Sequence, residues 1–153
     1  PDTPWLQHWK WLRFIPVNFA TALPLLGFFI GRYVNDPFGS GIGVIIGMVI
    51  GVPLQLVKGF CRGDDQGIDY DQRRNKIQVQ VGIGVSLVGV IAAWLVANDQ
   101  LAQHNGPAWG SLVAVPFGAV AGFAAGVFLT GAYLAILDAT ATVRDWMVGQ
   151  RRK

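Results

Sequence analysis

Asp64, Asp65, Asp69 and Asp71 fall within eight residues, the densest group of candidate cation ligands in this 153-residue sequence. A helix–loop–helix calcium site needs oxygen ligands at alternate positions and a closing bidentate Glu. The aspartate spacing does not supply that pattern, and the nine acids are all Asp, with no Glu anywhere. Residues 61–76 therefore read as a solvated loop of mixed charge. Cys61 is the single cysteine, so no intrachain disulfide can form. Beside Arg62 it could take a palmitoyl group or stay an inert thiol. His8 and His104 lie outside the long apolar stretches, so a haem buried among those stretches would find no histidine ligand. No phosphate-binding glycine loop, metal-spaced cluster or nucleophile with a His–Asp pair is present. The expectation is a non-enzyme with no catalytic residue, no metal and no cofactor.

Asn18, Thr21, Gln55, Gln78 and Gln80 are polar side chains set in or at the edge of apolar stretches and are possible pore-lining residues. Amides and hydroxyls can line a pore without carrying charge. They can equally join helices by hydrogen bonds. Which use applies depends on the elements that carry them.

Those elements belong to a membrane. The chain is 52% hydrophobic and 14% charged, against roughly 25% charged in a soluble domain. Gly39, Gly43, Gly47 and Gly51 recur every fourth residue, separated mainly by Val, Ile and Met. A helix puts all four on one face. In water each interior Gly costs roughly 1 kcal/mol relative to Ala. In lipid the same glycines let a second backbone approach closely. A linker would be polar between its glycines, and this stretch is not. Gly118, Gly122 and Gly126, flanked by Ala114 and Thr130, repeat the spacing.

Four apolar spans follow, at about residues 15–34, 38–60, 77–97 and 110–138. The fold expected is an all-α integral membrane protein, its four transmembrane helices arranged as two glycine-zipper hairpins. It forms a single membrane domain over 1–153. Residues 1–14 make an N-terminal interfacial helix, 15–60 the first hairpin, 61–76 a cytoplasmic loop, 77–138 the second hairpin and 139–153 a basic helical extension at the headgroups. Trp5, Trp9, Trp94, Trp109 and Trp146 are the expected interface anchors, since an indole ring is apolar and its N–H wants a partner. Lys58, near the end of its span, is expected to snorkel to the interface. Turns are expected at Asn35-Asp36-Pro37 and at Asn98-Asp99, the latter followed by a loop through Asn105-Gly106-Pro107. The shared Asn-Asp makes the two halves look like a parallel duplication rather than an inverted repeat. The first apolar stretch follows tryptophans and ends without a small-residue cleavage site, so no secretory signal peptide is expected.

Eleven of the twelve Lys and Arg residues lie in the N-terminal segment, between residues 58 and 76, or in the C-terminal tail. Arg32 alone lies on the other side. By the positive-inside rule both termini are cytoplasmic, in a bacterial inner membrane or its organellar equivalent.

The stretch Gly27-Phe-Phe-Ile-Gly-Arg-Tyr-Val-Asn-Asp-Pro-Phe-Gly-Ser-Gly, followed by Ile46-Gly-Met-Val-Ile-Gly-Val and closing at Lys58, resembles the small glycine-rich hairpin accessory proteins of F-type ATP synthases, the protein I/Z-type family. The resemblance covers about residues 23–60. It implies a two-helix accessory unit linked to rotor assembly or divalent-cation supply. Residues 77–138 would be a further hairpin, which departs from that family.

The functional expectation is a non-catalytic subunit that packs in, or helps assemble, a larger membrane complex. Its partners would be other membrane proteins and the bilayer, with no nucleic acid. One alternative is a small oligomeric ion channel or divalent-cation transporter lined by Asn18, Thr21, Gln55, Gln78 and Gln80. Another is a holin-like permeabilising protein. No span holds a His, Glu or central Asp, the groups that coupled transport would use.

Overall fold

A computed structural model describes residues 7–35, 38–64, 67 and 69–151. It contains four α-helices: α1 (Phe19–Asn35), α2 (Phe38–Asp64), α3 (Tyr70–Gln103) and α4 (Ser111–Arg151). Short 3-10 helices cover Lys10–Phe14 and Ala108–Gly110. There is no strand among the described residues. Three of the helices are long and apolar enough to cross a membrane, over Phe38–Arg62, Tyr70–Gln103 and Ser111–Gln150, and Phe19–Val34 is a shorter apolar helix. Trp5, Asp36, Pro37, Asp65, Gln66, Arg152 and Lys153 lie outside the described residues.

The element ends differ from the sequence reading for local reasons. The first apolar helix starts at Phe19, not at 15. Asn18 accepts the Ala20 N–H on Oδ1 at 3.0 Å and takes the Thr21 and Ala22 N–H groups on its carbonyl. That is N-capping, which fixes a helix start. Of the N-terminal segment, Gln7 and His8 are α-helical and Lys10–Phe14 form a 3-10 helix, while residues 1–6 lie outside the described residues. Its helical turn closes at Ile15, which is extended ahead of Pro16, as a residue before proline prefers. Within it Trp9 and Trp11 stack with centroids 6.3 Å apart, and Leu12 is buried.

The expected loop over 61–76 is mostly helix. α2 continues through Asp64, and α3 begins at Tyr70, whose N–H is accepted by the Asp69 side chain at 3.0 Å. Asp71 adds a negative charge in the first turn of α3, where the helix dipole favours it. Asn98-Asp99 is not a turn; it lies inside α3. The chain reverses after His104, where Asn105 takes a left-handed φ of 52° and Pro107 follows. Asn tolerates that conformation better than most residues. The duplication argued from the two Asn-Asp pairs loses its second turn. The tail, expected as a helical extension, is the uninterrupted end of α4 through Arg151. Pro24, Pro53 and Pro116 all lie inside helices without ending them.

The helices pack as two antiparallel pairs in glycine register. A Cβ on Gly27 would fall on the Gly43 carbonyl and one on Gly43 on the Gly27 carbonyl. Gly31 faces Gly39, Gly47 faces the Leu23–Pro24 backbone and Gly51 the Phe19 carbonyl. In the other pair Gly89 faces Gly118, Gly122 faces Val85 and Ser86, and Gly126 faces Val81 and Gly82. Ser86 Oγ donates to the Ala119 carbonyl at 2.9 Å along that seam. A buried cluster of Ala20, Val52, Leu56, Ile77, Val81, Val85 and Leu134 draws on all four helices. Tyr133 Oη also crosses from α4 to donate to the Val49 carbonyl at 2.9 Å. The apolar window of α4 is the least covered, at 11% buried against 33% for α2.

Candidate functional site

Two of the five buried polar residues among those described, Gln55 and Lys58, meet where α1 begins. A helix N-terminus carries N–H groups with no partner inside the helix, and lipid supplies none. Gln55 on α2 answers for the first: its Oε1 accepts the Phe19 N–H at 3.1 Å. The Val17 carbonyl just upstream is not taken by Thr21, whose N–H bonds Asn18. Lys58 supplies its donor. Its Nζ reaches the Val17 carbonyl at 2.7 Å and lies 5.6 Å from the Phe19 ring centroid. Lys58 is 6% exposed. Its ammonium turns to the open start of α1, where the Val17 carbonyl stands within reach.

Beside these groups is a cleft of about 270 Å³, lined by Pro16, Asn18, Gln55, Lys58, Gly59, Arg62, Gln80 and Ile83. Three of the five amide and hydroxyl candidates therefore meet: Asn18, Gln55 and Gln80. Asn18 Nδ2 donates to the Gln80 carbonyl at 3.4 Å, joining α1 to α3. Thr21 is directed to Gly84, where a Cβ would meet Oγ1 at 2.7 Å. Gln78 faces Gly131 on α4, away from the cleft. The sequence reading missed Lys58 and Arg62 as members of this group. The signal was available in their spacing, since Gln55, Lys58 and Arg62 are three and four residues apart and share one helix face.

A second concavity lies on the outer side of the α1–α2 pair. This groove of about 510 Å³ has Gly27, Gly31, Gly43 and Gly47 along its floor and Leu26, Ile30, Ile42 and Ile46 on its walls. The wall residues are exposed. The glycine register creates the groove: two backbones in contact leave a shallow trough where side chains would otherwise stand.

The opposite end of the bundle carries Arg32, ion-paired with Asp99. Trp94 and Trp109 belong to that end and are exposed, as are Trp9 at the basic end and Trp146 far along α4. Cys61 is buried, out of reach of an acyl donor while α2 stays packed. Among the described residues no group of three His, Cys, Asp or Glu could hold a metal ion. The Asp64–Asp71 stretch is split between the end of α2 and the start of α3, with Asp69 used as a helix cap. No family model, curated protein or solved structure matches the chain.

Proposed function

We propose that this is a non-catalytic integral membrane protein with four spans, two glycine-zipper hairpins and both termini in the cytoplasm. Its work is to pack against, and help assemble, other membrane proteins. The observation that supports this best is the apolar groove on the α1–α2 pair. The occupant proposed is a transmembrane helix of another protein. The groove follows α1 from Leu23 to Val34 and α2 from Gly39 to Ile50, about 17 Å along each helix. Lipid gives helices no hydrophobic reason to associate, so shape fit and close packing must do it. A glycine floor between isoleucine ridges offers both. The resemblance of residues 23–60 to the accessory hairpins of F-type ATP synthases points toward a bioenergetic complex as the setting.

The test joins two measurements. A photo-crosslinker placed at Ile46, on the groove wall, is expected to capture the same heterologous membrane protein repeatedly from native membranes. The same group at Ile45, outside the groove, is expected not to. In parallel, purified protein in liposomes is expected to pass no ions. Robust flux by the protein alone, with no reproducible partner at Ile46, would replace this reading with a channel. Lysis on expression would replace it with a permeabilising protein.

A further inference from the structure

Lys58 presents an unbalanced charge. It is more than nine-tenths buried and its side chain lines the cleft at the start of α1. An ammonium has three donors, and the Val17 carbonyl takes one. Arg62 brings a second cation to the same cleft from one turn further along α2. No carboxylate is among the described residues that line it. Two like charges in a partly desolvated cleft oppose each other, and a buried ammonium without a counter-charge is unfavourable. The neighbouring amides do not relieve this. Gln55 Oε1 is already occupied by the Phe19 N–H, which leaves its NH2 as a further donor. The cleft is thus rich in donors and poor in acceptors.

Its depth matters as much as its charge. Phe38 and Lys58 lie twenty residues apart on one continuous helix, about 30 Å along the axis. That matches a hydrocarbon core of roughly 30 Å. With Phe38 at one boundary, Lys58 stands at the other and Arg62 about 6 Å beyond it, at the level of lipid phosphates.

We infer that this cleft binds a phosphate group, its oxygens held by Lys58 Nζ and the Arg62 guanidinium with the Gln55 and Gln80 amides beside them. Arginine suits the task because its planar fork matches phosphate geometry. The phosphate comes either from an anionic lipid headgroup or from a soluble phosphate.

The test is native mass spectrometry of the purified chain with phosphatidylglycerol, phosphatidylcholine and inorganic phosphate as probes. The wild-type protein is expected to retain phosphatidylglycerol over phosphatidylcholine by about fivefold or more. Arg62→Gln, on an exposed side chain, and Lys58→Gln are each expected to abolish most of that preference. Arg144→Gln removes the same charge from an exposed site paired with Asp145 and is expected to leave the preference intact. If Lys58→Gln fails to fold, Arg62→Gln carries the comparison alone. Retention that millimolar inorganic phosphate displaces assigns the site to a soluble phosphate; retention that it leaves unchanged assigns it to the lipid. No lipid preference in the wild type together with no retained inorganic phosphate, or an equal loss in Arg144→Gln and Arg62→Gln, would overturn the inference.

Discussion

Arg32 on α1 and Asp99 on α3 form an ion pair that ties the two helix pairs together at the end away from the lysines and arginines. Both side chains keep about a third of their surface, 31% and 39%. Pairs of that exposure contribute roughly 0–1 kcal/mol. A double-mutant cycle with Arg32→Gln and Asp99→Asn in detergent should return a coupling energy of about 0.5–1 kcal/mol. Strict additivity of the two substitutions would show that the pair does not link the halves.

The glycine seams make a sharper demand. At Gly43 the obstacle to a side chain is the Gly27 backbone, which has no rotamer to give. At Gly41 nothing lies within 4 Å. Gly43→Ala should therefore destabilise by roughly 1–3 kcal/mol through overpacking, and Gly41→Ala should be neutral or slightly stabilising. Gly47→Leu and Gly122→Leu should be worse than Gly43→Ala, and Ile45→Leu nearly silent. Thermal unfolding in a fixed detergent separates these cases. Equal midpoints for Gly43→Ala and Gly41→Ala would mean that α1 and α2 do not touch along this face.

Gln55→Leu strands the Phe19 N–H at the start of α1. The expected penalty is about 1–3 kcal/mol for an unsatisfied buried donor. Hydrogen exchange should accelerate at residues 19–22 before it does elsewhere in α1. Gln80→Leu is the control, because Asn18 uses the Gln80 backbone carbonyl and not its side chain. Identical exchange in Gln55→Leu and wild type would remove Gln55 from its place at the helix start.

Orientation has a direct readout. In a Cys61→Ala background, Gln103→Cys should react with a membrane-impermeant maleimide in intact cells. Gln150→Cys should react only after permeabilisation. Labelling of Gln150→Cys in intact cells would reverse the assignment of sides.

Much of the helix pairing could be read from spacing alone. Gly39, Gly43, Gly47 and Gly51 all turn to α1, and Gly118, Gly122 and Gly126 all turn to α3, because a period of four is a property of one helix face. The element ends were harder. Polar composition made residues 61–76 look like a loop, although an Asp before Tyr70 is an N-cap signal and Gln, Arg and Lys are good helix formers. The inward turn of Lys58 could not be read from α2. It depends on Asn18 starting α1 late and on the Val17 carbonyl that this leaves over, forty-one residues away. Likewise Asp99 sits inside the last turns of α3 with its charge answered by Arg32, sixty-seven residues earlier. Long-range partners of this kind leave no periodic trace.

Asp138 receives Tyr70 Oη at 3.1 Å and lies 3.3 Å from Arg74 Nη1, which marks where α4 leaves the company of α3. Thirteen more helical residues follow without a break, about 20 Å of rod that is exposed among the described residues from Ala139 to Gln150. Such a rod is the short arm of a lever whose long arm is the span, Ser111 to Asp138, and whose fulcrum is the Asp138 clasp. Spans tilt when the bilayer thins or thickens. A tilt of 10° would carry the free tip sideways by about 3–4 Å over that length. Arg144 and Trp146 ride on this arm, so the thickness of the surrounding lipid becomes a displacement of charge and indole in the aqueous phase.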